Sequence, residues 1–405
     1  MSASASCNAC GNRVFEELQL QPGFRIQCAG REVPFDIRTV LCRHCGLIAT
    51  QPQPDAGLLA AFYAAQERDL FVEGEEPGRI PGEGSRRDQA RWLEDGLGSL
   101  EGCRVLEVGC YEGYLLHLLG ERGARGLGIE PSARAAALGR ERLGVEIRTG
   151  LFEEQQLAPE TFDLVALSHV LEHLTDPRAA LERAWGLLAP GGALFVEVPD
   201  VLQPRVESAV DFFTFDHLFN FCPATLAALL VSCGFEVFAQ KDDFPFPAFR
   251  MLARKVSDRG LPVPAAPETV ESCRRVVRRY VAERHTFLER LRSRIDRELA
   301  AWQAAEARIA IYGAGYHTQC LLEATDLRKA RLVALVDGNP AKWGREMLGL
   351  PVVGPEELAT LRPDAVVISS YDFQDEMVER LRRLGLGQLP AITFYPEVKA
   401  FSNAR

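Results

Sequence analysis

From residue 103 onward, short β-rich runs alternate with helical stretches, and this rhythm constrains the fold more than any other feature. CRVLEVG, RGLGIEP, VEIRTG, FDLVALSH and ALFVEVPD are strand-like, and segments such as YLLHLLGERG and DPRAALERAWGLL separate them. Such alternation predicts a parallel sheet with helices on both faces. FEVFAQKDD and FRMLARKV follow with only FPFPA between their cores. That is too short for a crossover and predicts an antiparallel hairpin. A helical pattern then covers about 270–306, where Val277, Tyr280, Phe287, Leu291, Ile295, Leu299 and Trp302 keep mostly three- or four-residue spacing. Its arginines alternate with glutamates, the pattern of a solvated helix face. The strand–helix rhythm resumes at RIAIYGAG, RLVALVDGNP and DAVVISSY, and no repeat-protein period is visible.

A chain of 405 residues exceeds one ordinary core. The predicted division is a cysteine-bearing module over 1–55, an α/β domain over 56–260 and a second α/β domain over 261–405. QPQPDAG (51–57) and LPVPAAPET read as linkers. LLAAFYAAQERDLF reads as a helical lead-in to the middle domain. Residues 73–88, EGEEPGRIPGEGSRRD, read as a loop with the composition of a lid.

Four of the eleven cysteines form two CxxC pairs, Cys7-Asn-Ala-Cys10 and Cys42-Arg-His-Cys45-Gly46. A CxxC turn aims two thiolates at one point, and two such turns make a tetrahedral S4 site for Zn2+. With four cysteines no coordination position is left open, so the metal is expected to be structural. A redox role is the weaker reading, because neither pair starts the helix of a βαβ unit.

Glu107-Val-Gly109-Cys-Tyr-Glu-Gly113 follows the strand CRVLEV. Glycines at a strand-to-helix turn let backbone approach a ligand closely. Glu130 ends the next strand, where an acid can hold ribose hydroxyls. GLFEE, with Phe152, ends the third strand, where an adenine could lie. FDLVALSHVLEHL, with His169, and LLAPGGALFVEVP complete the set. This assembly resembles the class I S-adenosylmethionine (SAM)-dependent methyltransferases, with Tyr111 where many members have a third glycine. A dinucleotide-binding domain is the rival, but HVLEHL and LAPGG do not belong to that pattern. The last domain carries a half-Rossmann fingerprint, Gly313-Ala-Gly315-Tyr-His317-Thr318, then Asp337-Gly-Asn339-Pro-Ala-Lys342. Its expected ligand has phosphates and a ribose; the alternative is a degenerate fold kept for packing.

The stretch 213–221, FTFDHLFNF, sets Asp216 and His217 inside an aromatic run. The pair is either a hydrogen-bonded core histidine or a proton-handling group in an apolar active site.

Composition excludes some partners. Apolar residues make up 47%, charged residues 25%, and the formal net charge is −10. That argues against nucleic acid held by overall charge. No apolar run reaches a membrane span, and MSASASCNAC lacks a signal-peptide core, so a cytoplasmic protein with no membrane partner is expected.

Both CxxC pairs, the SAM motifs, Asp216-His217 and GAGxHT followed by DxNPxK together resemble the sugar C-methyltransferases of deoxysugar biosynthesis. The resemblance spans nearly the whole chain. It implies three parts: a zinc-binding N-terminal module, a class I Rossmann-like SAM domain, and a second Rossmann-like substrate-binding domain. It implies SAM contacts from Glu107, Gly109, Gly113, Glu130, Phe152 and His169, with Zn2+ on Cys7, Cys10, Cys42 and Cys45. Gly313, Gly315, His317, Asp337, Asn339 and Lys342 would bind a small-molecule substrate, a nucleotide-linked keto sugar. His217 would be the base, with Asp216 beside it. Relatives supply tyrosines from the lead-in and just before the acidic–His pair. Here Thr214 and Phe215 precede the pair, and the lead-in offers Phe71 and Tyr63. The alternatives are O- or N-methylation of another small molecule, RNA methylation, or a scaffold that binds SAM and nucleotide without catalysis.

Overall fold

The computed structural model describes residues 6–28, 31–69, 83–244, 246–256, 266–371 and 373–395. Phe71 and residues 73–82 of the loop reading lie outside the described residues.

The N-terminal module is a β-ribbon. Strands β1 (Phe15–Cys28) and β2 (Arg31–Cys42) pair antiparallel, and β3 (Ile48–Thr50) adds to β2. A fourth strand, Phe219–Asn220, comes from far downstream, so the ribbon's sheet closes with a segment of the middle domain.

Helices α1 (Ala56–Asp69) and α2 (Glu83–Leu97) lead into the middle domain. Helix α2 begins within the stretch read as a loop, a correction to the composition argument. Its side chains Arg86 and Gln89 converge on Ser168 Oγ (2.7 and 2.8 Å), and these tertiary bonds outweigh the local glycines and charge.

The central sheet follows the expected rhythm. Its elements are β4 (Arg104–Val108), α3 (Tyr114–Gly120), β5 (Arg125–Glu130), α4 (Ala133–Leu143), β6 (Glu146–Thr149), β7 (Phe162–Ser168), α5 (Pro177–Leu187) and β8 (Leu188–Pro199). After β9 (Phe219–Asn220) come α6 (Pro223–Ser232), β10 (Phe235–Lys241) and β11 (Ala248–Lys255). The seven strands run β10-β11-β8-β7-β4-β5-β6, parallel from β8 to β6. Strands β10 and β11 form the antiparallel hairpin that their short connection demanded.

Helix α7 (Pro267–Ala304) is 38 residues long, about 57 Å at 1.5 Å per residue. Its first half buries Val270, Cys273, Val277 and Tyr280 against Leu41, Ile48 and Phe213. Its second half buries Leu291, Ile295, Leu299 and Trp302 in the C-terminal core. One helix therefore tethers all three parts.

The C-terminal domain contains β12 (Arg308–Tyr312), α8 (Tyr316–Ala324), β13 (Arg331–Val336), β14 (Glu346–Met347), β15 (Leu350–Val353), α9 (Leu358–Leu361), β16 (Ala365–Ile368), α10 (Gln374–Arg383) and β17 (Ala391–Ile392). Its sheet order is β14-β15-β13-β12-β16-β17, with only the β14–β15 pair antiparallel. Among the described residues, no helix is long and apolar enough to cross a membrane.

Candidate active site

The turn after β4 is built around glycine. Gly109 and Gly113 take left-handed φ angles of 65° and 73°. A Cβ on Gly109 would meet Val170 Cγ2 at 2.5 Å, and one on Gly113 would meet Val145 Cγ2 at 2.9 Å. Both conformation and space exclude a side chain. Glu130, buried at the end of β5, spans the turn. It accepts the Tyr111 N–H at 2.8 Å and the Ser132 N–H at 2.9 Å. Glu107 is fully buried and its Oε2 accepts no hydrogen bond. Burial, offset in part by Arg86, raises its pKa to about 7. Phe152 is buried beside β6, with the Arg183 guanidinium 4.9 Å above its ring. This acceptor-rich cradle fits SAM, whose ammonium, sulfonium and ribose hydroxyls call for carboxylates and tight backbone. Glu107 and Glu130 would supply the carboxylates.

Next to it, at the end of β7, lies a dense charge network. His169 has φ 55°. Its Nε2 lies 3.0 Å from Glu197 Oε1 and its Nδ1 lies 3.3 Å from Glu172 Oε1. Desolvation of the part of the ring that faces the protein disfavours the charged form, yet Glu172 and Glu197 outweigh it and raise its pKa to about 9, with the side chain 39% exposed. The two carboxylates therefore favour the imidazolium form of His169. Burial raises Glu197, but His169 and Arg250 override it and bring its pKa to about 2. Arg250 is fully buried. It pairs with Glu197 and Asp88 and lies 4.4 Å from the Phe244 ring.

The run 213–221 becomes intelligible in three dimensions. Phe215 is enclosed by Phe24, Phe35 and Phe62, with ring centroids at 6.0, 5.1 and 4.9 Å. Phe213 packs on Tyr280 at 5.7 Å. The aromatic residues thus anchor the segment in the ribbon and α7. The same segment is clamped further upstream. Arg284 donates to Asp211 Oδ2 (2.7 Å) and to the carbonyls of Ser208 and Ala209 (2.6 and 2.9 Å).

Asp216 and His217 meet His173, the last histidine of HVLEHL. His173 Nδ1 donates to the Asp216 carbonyl at 3.0 Å and lies 3.5 Å from Asp216 Oδ2. The His173 and His217 rings are 4.9 Å apart at 71°. His217 Nδ1 is buried without a hydrogen bond. Burial lowers the His217 pKa against the pull of Asp216, which favours the neutral ring. Asp216 is half-buried; desolvation raises its carboxyl, but His173 and His217 keep it below the usual range. Reasoning from sequence missed His173 and Glu172, although both stand in HVLEHL. Arg250 carried no local signal.

A cavity of about 770 Å3 lies between β1, the 209–214 segment, α7 and α8. Phe213, Thr214, Arg284, Arg292 and Tyr316 are among its walls. Tyr316 stands between Gly315 and His317 and brings the C-terminal glycine turn to this space.

The four N-terminal cysteines converge. Cys7 and Cys45 Sγ are 3.5 Å apart, Cys10 and Cys42 Sγ 3.6 Å, and all four lie within 4.8 Å of one another. Tetrahedral zinc with 2.3 Å bonds places its sulfurs about 3.8 Å apart, so the donor set fits Zn2+. Arg178 fastens the first knuckle to the middle domain, donating to the Asn8 carbonyl at 3.0 Å and to Ser232 Oγ at 2.8 Å.

In the C-terminal domain the fingerprint residues largely face each other. A Cβ on Gly313 would lie 2.4 Å from the Ser369 carbonyl oxygen, so packing alone demands that glycine. Gly315 is extended and caps α8. Asp337 accepts the Ala314 N–H (3.0 Å), the Asn339 N–H (2.9 Å) and Lys342 Nζ (3.0 Å). Lys342 also donates to the Ala314 carbonyl at 2.8 Å. His317 bonds Ser369 Oγ at 2.9 Å and the Tyr395 hydroxyl, and burial lowers its pKa to about 4. The Tyr395 hydroxyl in turn accepts the Ala209 N–H at 3.0 Å, ahead of the Asp216 segment.

Residues 65–240 match the family model for a methyltransferase domain, and residues 276–388 match that for a C-methyltransferase C-terminal domain. C-methyltransferase NovU of Streptomyces niveus is 26% identical over 376 residues, 87% of this chain and 84% of NovU. The chain is a SAM-dependent methyltransferase whose two matched regions are similar to those of C-methyltransferases. Likeness to the ubiquinone biosynthesis O-methyltransferase of Bordetella avium is narrower, 34% identity over 26% of this methyltransferase and 46% of that one. Among solved structures, the 1,6-didemethyltoxoflavin-N1-methyltransferase of Burkholderia thailandensis covers 52% of this chain and 96% of its own. It shows 20% identity and a TM-score of 0.40.

Proposed function

We propose that this methyltransferase moves the SAM methyl group to the carbon beside the keto group of a nucleotide-linked deoxysugar, with His217 as base. The observation that carries the reading is the position of His217, its Nδ1 buried without a hydrogen bond and its ring 4.9 Å from that of His173, beside Asp216 on a segment anchored by aromatic packing. Similarity to NovU along 87% of the chain supports carbon as the acceptor atom.

The chemistry needs such a group. Carbon is a poor nucleophile until the C–H bond beside the carbonyl breaks. His217 takes that proton, and the electron pair passes into the enolate. The enolate carbon then forms a bond to the SAM methyl. The methyl–sulfur bond breaks, and its electrons neutralise the sulfonium. A base with a neutral resting state suits the first step. The aromatic wall keeps water from the enolate, and alignment of sulfur, methyl and carbon does the rest. SAM would be held by Glu107, Gly109, Gly113, Glu130, Phe152 and His169. Zn2+ on the four cysteines would brace the ribbon against Phe215. The nucleotide end of the acceptor would occupy the cavity bordered by Thr214, Arg292 and Tyr316, beside the C-terminal glycine turn.

The test is incubation with SAM and a panel of nucleotide-linked 4-keto sugars in D2O, read by mass and proton NMR. The expected product gains one methyl on the carbon next to the keto group, and that position exchanges with solvent only when His217 is present. Methylation at oxygen, or no product with any keto sugar, would overturn the reading.

A further inference from the structure

One cluster near the reaction centre has more ligand capacity than proton transfer requires. Glu172, His173 and His217 each place one donor atom within 4.8 Å of the others. Glu172 is 1% exposed, and both of its carboxylate oxygens are buried without a hydrogen bond. Its neighbours are His169 Nδ1 at 3.3 Å and His173 Nε2 at 3.9 Å.

The tautomer of His173 follows from its partner. A backbone carbonyl only accepts, so the 3.0 Å contact to Asp216 O makes Nδ1 the protonated nitrogen. In the neutral ring the lone pair is then on Nε2, the nitrogen nearer Glu172. Asp216 stands behind His173 as an outer partner, an arrangement typical of metal-ligating histidines. The two imidazoles cross at 71°, as neighbours around one ion can. Two nitrogens and one carboxylate suit Zn2+, Co2+ or Ni2+ rather than Mg2+ or Ca2+.

We propose that Glu172, His173 and His217 form a second metal site, separate from the cysteine cluster, that binds one divalent transition-metal ion. Bonds of 2.0–2.2 Å require the three donors to lie closer together than they now do. Occupancy uses the lone pair of His217, so the ion and the proton compete for the same nitrogen. That competition, unlike the site, rests on His217 being the base.

The experiment uses full-length protein with its zinc in place, titrated with Co2+ and followed by visible absorption and calorimetry. One Co2+ per chain is expected, with the absorption of a nitrogen–oxygen site and no thiolate charge-transfer band. Mg2+ should not compete. Loss of an outer-shell partner alone costs about 10–100-fold in metal affinity. Glu172→Gln and His173→Asn should therefore each weaken binding by at least about tenfold. Wild-type protein that binds no Co2+ in this way overturns the site. So does binding that both variants leave unchanged while their circular dichroism remains native. If Co2+ binds as expected and methyl transfer continues at its full rate, the site stands and the assignment of His217 as base falls.

Discussion

Replacing Arg250 with methionine isolates the energetics of the charge network. Arg250 is fully buried on β11, and its principal partner, Glu197, is 1% exposed. Methionine keeps much of the volume but leaves Glu197 facing His169 alone. Burial opposes the charge on Glu197, yet His169 and Arg250 bring its pKa from the usual 4.5 to about 2. At 1.36 kcal/mol per tenfold change in acidity, this is roughly 3 kcal/mol of stabilisation shared by the two cations. Breaking a buried pair by removing one partner costs about 3–5 kcal/mol. Arg250→Met is therefore expected to destabilise the middle domain by about 3 kcal/mol at neutral pH, or roughly 6–12 °C in Tm for a domain of this size. The sign of the pH dependence follows. A carboxylate with a depressed pKa contributes its stability above about 4.5 and loses it as pH falls toward about 2. The gap between parent and variant should be widest above pH 4.5 and shrink below it. Calorimetry from pH 3 to 7 is the assay, with Glu197→Gln and the double variant completing a cycle. A loss under about 1 kcal/mol, or strict additivity in the cycle, would refute the coupling.

Three further outcomes are expected. His217→Asn should retain SAM binding while single-turnover methyl transfer slows by about 10²–10⁴; near-parental turnover with a lowered Tm would make His217 a core residue. Glu130→Ala should weaken SAM at least about tenfold by calorimetry, since bonds to a charged group are each worth about 1.5–3 kcal/mol; unchanged affinity would move the pocket elsewhere. Metal analysis should give about one tightly held zinc per chain, and Cys42→Ser should release it and unravel the ribbon; a folded, zinc-free protein would sink that assignment.

Local signals made much of this architecture readable. Each CxxC turn spans four residues, and the strands from β4 to β8 carry their own apolar runs. Helix α7 announces itself by spacing, because Val277, Tyr280, Leu291 and Ile295 face one way. What escaped was assembled over distance. No periodicity in 213–221 shows that Phe215 meets Phe24, Phe35 and Phe62, or that Asp216 reaches His173. Helix α2 was hidden by glycine and charge, since its reason to be helical lies at Ser168 on another element. In the C-terminal domain, a fingerprint tells where a turn is, but not that Asp337 and Lys342 are already engaged with Ala314.

The pairing of Ile48 with Asn220 has a consequence for how the chain is made. The ribbon leaves the ribosome first, yet the strand that completes its sheet follows roughly 170 residues later. At 5–20 residues per second the β3 edge waits about 10–30 s with its backbone groups unsatisfied, an invitation to intermolecular pairing. Slowed translation or overcrowded expression should therefore damage this protein first at its beginning. Supplying residues 206–256 late, on a second polypeptide, would leave the early part open longest.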